Sequence, residues 1–366
     1  MRILFITASY LPTANGVTYH VSSTAEALRK LGHIVYILAP TFPGYKDLDK
    51  YVIRYPSLPN PFIKKYPLGI PFVPIEKIRK LKPDVIHAHH PLVVGQFASL
   101  ISEKLNKPLF ITAHTHYEQY LNYYFPHGYK ITSKIIISDL QNLANNSQKI
   151  ISPSINTKIR LNKHGIKNSV VINNGVESMF FIKPSKKPTI EPTIVYTGRL
   201  DRVKNPLKLI TIAKEVKKKI PNFKLLIIGG GEKFKEMFDQ THKLHLEGNV
   251  IFLGEIDRSL LPEIYKSVHL FITPSMSEVM PISILEAMAS GIPIIAFKKS
   301  GLEEIVIDRK TGFILEDNPK KIAGKIKNLF SNKTRLYKLS LNTHKYALNF
   351  SAENTAKKLV DIYKKV

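Results

Sequence analysis

The chain of 366 residues contains no cysteine. This absence excludes a disulfide framework and any thiol chemistry, and it is typical of proteins that work in a reducing compartment. No run of 18 apolar residues occurs, so we expect no membrane-spanning helix. The N-terminal run MRILFITASYLPT is short and has no small-residue cleavage site, which favours a first strand over a signal peptide. The sequence therefore predicts a cytoplasmic protein.

Acidic residues are also scarce, because 28 Asp and Glu stand against 54 Lys and Arg. The formal net charge of +26 is divided equally between the two halves of the chain and does not form a tail. Basic surfaces attract nucleic acid, anionic lipid or a phosphorylated small molecule. A lysine-rich proteome would produce the same composition, so the charge alone leaves the partner open.

The dinucleotide-binding pattern G-x-G-x-x-G is absent as well. Strand and helix patterns instead alternate along the whole chain, as in RILFIT, a helix ending near Gly32, and HIVYILAP. The alternation restarts at TIVYTG and predicts an α/β fold of two doubly wound Rossmann-like domains. We place these domains at residues 1–169 and 170–350, and we expect the helix pattern of residues 351–366 to complete the first.

Residues 55–83 interrupt this alternation with seven prolines. Proline at this density prevents regular β-ladders, so the simplest interpretation is an irregular surface connection. The segment also places the apolar Phe62 beside the basic Lys64 and Lys65. Such a pairing is equally suited to touching a membrane interface.

Ligands of doubly wound sheets bind at the carboxyl ends of the strands. Arg199 follows the strand TIVYTG directly, and Lys204 comes five residues later. Two cations at one strand end can converge on a diphosphate, although two solvated surface charges are the alternative. Gly16, which opens the first helix, would let backbone amides approach an anion, or would simply form a turn.

Two carboxylates, Glu278 and Glu286, surround the start of another predicted helix. Pro281 suits the first helical position, so the amides of Ile282 and Ser283 would form an anion site. Glu286 lies among apolar residues, and its i±4 neighbours cannot form a salt bridge with it. A buried glutamate without a basic partner needs a hydrogen bond, for which the diol of a ribose is a candidate. The alternative for Glu278 is a negative charge that is favourable near the helix N-terminus. The alternative for Glu286 is that its position is exposed.

Histidines and tyrosines cluster after two further strands. The histidines are His87, His89, His90, His114 and His116, and the tyrosines are Tyr117, Tyr120 and Tyr124. The H-x-H spacing is compatible with zinc, but there is no cysteine and few acids are near, so we expect no metal site and a lining for a sugar. The tyrosines form a helical stripe that is either core or the wall of an acceptor pocket.

These features together match a known pattern. Its elements are Glu278-x7-Glu286, Gly198-Arg199-x4-Lys204, INNGV at residues 172–176, and Asn15-Gly16-Val17. The chain resembles the retaining glycosyltransferases of family 4, whose GT-B fold has two Rossmann-like domains facing a central cleft. PDVIHAHHP and AHTHYEQY resemble members that glycosylate membrane lipids such as diacylglycerol or phosphatidylinositol. The resemblance implies an acceptor-binding first domain and a nucleotide-sugar-binding second domain.

The resemblance also implies roles for single residues. Glu286 would hold the ribose hydroxyls, and Glu278 would lie beside the donor sugar. Arg199 and Lys204 would stabilise the diphosphate leaving group in place of a metal ion. The Gly16 amide would contact the diphosphate, and His114 would contact the sugar.

One departure concerns the donor. Pro281 stands where family members usually have glycine, and it has no N–H to give to a sugar hydroxyl. The identity of the hexose therefore stays open, as do the nucleotide base and the linkage.

From these observations we expect a hexosyltransferase that moves a hexose from a nucleotide-diphospho-sugar to a membrane lipid. It would need no cofactor and would bind peripherally at the inner face of the cell membrane. We expect Tyr117, Tyr120, Phe62, Lys64 and Lys65 to contact acceptor or membrane. The alternatives are a soluble or polysaccharide acceptor and a non-enzymatic protein that binds polyanions. We expect no nucleic-acid partner, because aromatic residues are not interleaved with the basic runs.

Overall fold

The computed structural model describes residues 1–60, 66–114, 129–185 and 191–366. Five residues predicted to contact acceptor or membrane lie outside these ranges, namely Phe62, Lys64, Lys65, Tyr117 and Tyr120. The chain forms two compact units, the first from Met1–Gly175 with Ala352–Val366 and the second from Val176–Ser351. Within the described ranges, no helix has the combination of length and apolar composition that crossing a membrane requires.

The first unit is built on a parallel sheet that has seven strands in the described residues, in the order β3-β2-β1-β6-β7-β8-β9. The strands, with the short antiparallel pair β4 and β5, are β1 (Arg2–Ile6), β2 (Ile34–Pro40), β3 (Val52–Tyr55), β4 (Ser57–Leu58), β5 (Leu68–Gly69), β6 (Val85–Ala88), β7 (Leu109–Thr112), β8 (Lys149–Ser152) and β9 (Ser169–Val171). The helices are α1 (Gly16–Lys30), α2 (Ile75–Arg79), α3 (Leu92–Leu105), α4 (Tyr129–Asn145) and α5 (Ile155–Lys163). The apolar runs in β1, β6 and β7 are buried on both faces, as parallel strands covered by helices require.

The strand order of the first unit reverses between β1 and β6, which lie side by side. Loops that leave neighbouring strands in opposite directions open a crevice at their carboxyl ends. The loop after β1 leads to Gly16 at the start of α1, and β6 ends at Ala88, one residue before His89. His114 follows the next strand, β7. The fold therefore gathers these side chains at one edge of the sheet.

The second unit has, within the described residues, a parallel sheet of six strands in the order β12-β11-β10-β13-β14-β15. The strands are β10 (Thr193–Thr197), β11 (Lys224–Ile228), β12 (Val250–Gly254), β13 (Leu270–Ile272), β14 (Ile294–Phe297) and β15 (Gly312–Leu315). The helices are α6 (Leu207–Lys217), α7 (Phe234–Lys243), α8 (Leu261–Ser267), α9 (Ile282–Ala289), α10 (Pro319–Phe330) and α11 (Lys333–Ala347). The order reverses between β10 and β13, so Arg199 and Glu278 follow the two strands at which a crevice opens.

The chain passes between the units twice, at residues 175–176 and 351–352. The two passages lie side by side, since the Val176 amide donates to the Phe350 carbonyl at 2.8 Å. The last helix, α12 (Ala352–Tyr363), packs on α1 of the first unit and buries Leu359 and Tyr363 there. The predicted division at 169/170 would cut through β9, which pairs with β8 in the first sheet, so the division falls at Gly175 instead.

Candidate active site

The helix α9 begins in the crevice of the second unit with free amides. Pro281 occupies the N-cap position with an extended ψ of 123°, so the helix starts at Ile282, one residue later than predicted. In the part of the chain that the structure describes, no side-chain cap bonds to the first turn. The amides of Ile282 and Ser283 therefore carry the positive end of the helix dipole toward the crevice, which is a favourable place for an anion.

Lys204 and Glu278 form an ion pair between two strand ends of this crevice. The Lys204 Nζ lies 2.8 Å from both Glu278 Oε1 and Oε2. The two side chains are only 18% and 9% exposed. Lys204 closes the 3-10 turn Arg202–Lys204, whose N-cap Asp201 accepts from the Lys204 amide at 3.1 Å. The turn thus fixes the position of the Lys204 ammonium beside Glu278.

Arg199 lies beside this pair and is the more accessible cation. Its Nη2 is 3.1 Å from Asp201 Oδ2, and the side chain is 42% exposed. Its backbone is held by the hydroxyl of Tyr196, which donates to the Arg199 carbonyl at 2.9 Å. Arg199 is therefore anchored at its main chain while its guanidinium keeps room to reach a phosphate.

A loop of three glycines contacts the residues on both sides of Arg199, and the sequence pattern did not predict it. The amide of Leu200 donates to the Gly230 carbonyl at 2.9 Å. A Cβ on Gly229 would lie 2.1 Å from the Gly198 carbonyl oxygen, so only glycine allows this approach. The signal was present in the sequence, since Gly229, Gly230 and Gly231 follow a strand directly.

Glu286 is buried, as predicted, but it has a basic partner that we did not predict. Arg258 Nε donates to Glu286 Oε1 at 2.7 Å, and Nη2 of the same guanidinium lies 2.6 Å from this oxygen. Burial raises the pKa of Glu286, and the charge of Arg258 and its hydrogen bond oppose that rise. The expectation of a glutamate without a cation was wrong, because the partner comes from a different element.

The first unit brings together His87, His89, His90 and His114 near α1. The predicted His116 and Tyr124 lie outside the described residues. Gly16 is the first residue of α1, and Asn15 caps the helix by accepting from the Thr18 amide at 2.9 Å. His114 Nε2 lies 3.2 Å from His89 Nδ1, and the ring of His20 on α1 is 4.9 Å from that of His114. His20 was not among the residues singled out in the sequence.

These histidines are neutral at physiological pH. Burial lowers the pKa of His20 to about 4 and that of His87 to about 3. One nitrogen each of His20, His89 and His114 lies within 4.8 Å of the others, and no carboxylate of the described residues joins this group. The 3.2 Å separation of His89 and His114 suits a hydrogen bond between two neutral rings.

Comparison with known families covers most of the chain. Residues 14–179 match the model described as Glycosyltransferase Family 4, and residues 178–349 match the model described as Glycosyl transferases group 1. The chain belongs to glycosyltransferase family 4. This result confirms the predicted family and the predicted hexosyltransferase class over the alternative of a non-enzymatic polyanion-binding protein.

Several named relatives and solved structures resemble this glycosyltransferase. The alpha-monoglucosyldiacylglycerol synthase of Streptococcus pneumoniae is 27% identical over 99% of this chain and 85% of its own. A GDP-mannose-dependent alpha-mannosyltransferase of Mycolicibacterium smegmatis is 27% identical over 86% and 84%. The crystal structure of Anabaena HepE in complex with UDP and glucose covers 100% of both chains with a TM-score of 0.78 at 19% identity. The structural similarity confirms the predicted GT-B fold.

The loop after β14 of the glycosyltransferase fixes the backbone of Glu278. The Glu278 amide donates to the Ser300 carbonyl at 2.7 Å. Gly301 has a φ of +85°, and a Cβ there would lie 2.3 Å from the Glu278 carbonyl oxygen. The position of the Glu278 carboxylate therefore depends on a glycine 23 residues later in the chain.

We expect Gly301→Ala to lower kcat/KM at least about tenfold, because small displacements of a site residue have large effects on turnover. The left-handed backbone adds a cost of about 1–2 kcal/mol in the free energy of unfolding. Steady-state kinetics and thermal unfolding measure the two effects. Gly324→Ala is the control, since Gly324 lies inside α10 with nothing within 4 Å of a Cβ. Wild-type kinetics in Gly301→Ala would show that the loop yields without moving Glu278.

Proposed function

We propose that this glycosyltransferase transfers a hexose from a nucleotide-diphospho-sugar to a membrane lipid with retention of configuration and without a metal ion. The observation that carries the proposal is the crevice of the second unit. There the Lys204–Glu278 pair, Arg199 and the uncapped N-terminus of α9 surround the carboxyl ends of β10 and β13. This arrangement supplies cations and amides for a diphosphate and acids for the hydroxyls of ribose and sugar.

Each residue has a role that suits its surroundings. Arg199 and Lys204 would bind the diphosphate and stabilise the negative charge that develops as it leaves, together with the amides of Ile282 and Ser283. Glu286 would accept hydrogen bonds from the ribose. In the first unit, the Gly16 amide would contact the diphosphate and His114 the sugar.

Glu278 would lie beside the reacting carbon, as a carboxylate whose charge is balanced by Lys204. Its two oxygens share one ammonium at 2.8 Å, so the acid is held in place by Lys204. A cation paired in this way can shift toward a departing diphosphate while the carboxylate faces the positive charge of an oxocarbenium-like sugar. Retention of configuration is proposed from the family, since the separation of two carboxylates is diagnostic only in hydrolases.

The lipid acceptor is supported by surface composition and by the relatives. Apolar side chains are exposed on the proline-rich segment of the first unit, among them Phe72 at 71% and Leu58 at 57%. The formal charge of +26 would attract an anionic membrane surface. The name alpha-monoglucosyldiacylglycerol synthase belongs to a relative that matches nearly the whole chain. We therefore place the enzyme peripherally at the cytoplasmic face of the membrane.

Calorimetry with UDP-glucose, GDP-mannose and UDP-N-acetylglucosamine, with and without anionic vesicles, tests the proposal. We expect one donor to bind, and we expect turnover in the presence of EDTA only when vesicles carry diacylglycerol or phosphatidylinositol. Vesicle binding should weaken as salt rises. Turnover on a soluble oligosaccharide with no response to vesicles would overturn the lipid acceptor and leave the enzyme class intact. Absence of binding by every nucleotide-sugar would overturn the site.

A further inference from the structure

Arg258 connects three separate elements of the second unit. It begins the 3-10 turn Arg258–Leu260 that follows β12, and its guanidinium contacts Glu286 of α9. Its Nη1 donates to Glu177 Oε1 at 2.5 Å, and its Cζ lies 4.9 Å from the ring centre of Phe180. The Arg258 side chain is 12% exposed. A guanidinium held by two carboxylates and an aromatic ring has little freedom to reorient.

The contact with Glu286 is one-sided. Both guanidinium nitrogens that approach Glu286 do so at Oε1, and within the described ranges no group donates to Oε2. Oε2 is not fully enclosed by protein, so a ligand can reach it. One oxygen of the carboxylate is therefore occupied by Arg258, and the other keeps its lone pairs for a ligand.

The terminal torsion of a glutamate has no sharp minima, so a carboxylate without a partner turns easily. A forked guanidinium on one oxygen fixes that torsion, whereas an ammonium is a point charge and does not. The same contact compensates the cost of burying the negative charge. Arg258 thus determines both the orientation and the ionisation of Glu286.

We propose that Arg258 is a positioning residue for ribose recognition, which presents Glu286 Oε2 to the hydroxyls of the nucleotide. This inference rests on the proposed function, in which Glu286 binds the ribose of the donor. Arg258 does not touch the reacting atoms and acts through Glu286. Glu177 and Phe180 hold the guanidinium in the orientation that this task requires.

The test compares a nucleoside diphosphate, UDP or GDP, with its 2′,3′-dideoxy form by calorimetry on the full chain. Hydrogen bonds to a charged group contribute enough that we expect the wild type to prefer the ribose form by about 10- to 100-fold. In Arg258→Lys the preference should fall below about fivefold, while the Kd of the dideoxy form changes by less than about threefold. Glu286→Gln should reduce the preference to the same degree, and the double variant should reduce it no further, because the two residues act as one unit.

The matched control is Arg54→Lys in the first unit, where Arg54 also forks onto a carboxylate, that of Asp47, and lies against tyrosine rings. It should leave the ribose preference unchanged. Glu177→Gln keeps Arg258 and weakens its contact with Glu177, so it serves as a second variant if Arg258→Lys does not fold. We expect it to lower the preference about two- to fivefold.

The outcomes separate the two proposals. A wild type that binds no nucleoside diphosphate overturns the proposed function and this inference with it. A wild type that binds both forms equally overturns the ribose role of Glu286 and the positioning role of Arg258, while the diphosphate site stands. Equal losses for both forms in Arg258→Lys, or an unchanged preference, would show that Arg258 serves only the packing of the unit.

Discussion

Replacing Lys204 by methionine is expected to lower kcat about a hundred- to a thousandfold, the usual cost of removing one preorganised group that stabilises developing charge. Lys204 is the less exposed of the two cations at the end of β10 and is the one paired with Glu278. The Kd of the donor should rise by less than about tenfold, because Arg199 and the α9 amides still bind the ground-state diphosphate. Single-turnover kinetics with the donor identified by calorimetry measures the effect.

The same substitution leaves Glu278 without its cation in a site where it is only 9% exposed. Breaking a buried pair in this way costs about 3–5 kcal/mol in the free energy of unfolding. The double variant Lys204→Met/Glu278→Gln should regain stability without regaining turnover. Lys208→Met is the control for turnover, since it removes a lysine that pairs with a more exposed carboxylate, that of Asp317 at 3.0 Å. A Lys204→Met enzyme that turns over as fast as the Lys208→Met enzyme would contradict the leaving-group role.

Acidification is expected to unfold the first unit before the second. His20 and His87 are buried, and burial lowers the pKa of their imidazoles to about 4 and about 3 in the folded state. The unfolded chain takes up these protons at about pH 6.5, so the unfolded state binds more protons as the pH falls. Stability is fully present above that pH and is lost below it. Each of the two histidines lowers the free energy of unfolding by about 2 kcal/mol at pH 5.

Burial also lowers the pKa of His89 and His114, which adds to the loss in the same direction. Urea unfolding at pH 7.5, 6 and 5, followed by circular dichroism, should show a separate early transition at the lower pH values. His20→Gln should reduce the dependence of the unfolding free energy on pH by about 1.4 kcal/mol per pH unit near pH 5. Gly324→Ala is the control, because it changes no ionisable group and should leave the dependence unchanged. An unfolding free energy that is flat from pH 7.5 to 5 would contradict the prediction.

Most of the fold could be predicted from the sequence. At the site, the residues in the loops after the strands could be predicted, but the side chains that meet them from other elements could not. The alternation of strand and helix patterns predicted both sheets, and their strand ends led to Arg199, Lys204 and Glu278 because these residues lie in the loops that follow β10 and β13. Arg258 could not be found in this way. Only i±3 and i±4 neighbours on a helix can be read from spacing, and Arg258 meets Glu286 from a turn 28 residues earlier in the chain.

The histidines illustrate the same limit. The H-x-H spacing placed His87 and His89 on one face of a strand, and their rings are stacked at 4.3 Å. The spacing gave no sign of His20, which reaches the group from α1. It also did not indicate Tyr363, whose hydroxyl is 2.5 Å from His87 Nδ1. Contacts between elements distant in sequence depend on packing, which periodicity does not encode.

The two neighbouring passages of the chain have a consequence for the order in which the molecule forms on the ribosome. We expect residues 176–351 to fold as soon as they emerge, since they form a compact unit of their own. The first unit is synthesised earlier but has to wait for Ala352–Tyr363 to cover α1 and to supply the hydroxyl that meets His87 Nδ1. Until then its nascent form exposes the apolar side chains of Val21, Ala25 and Leu28. The half that is made first is therefore the half that is finished last, and chaperones should bind it longest.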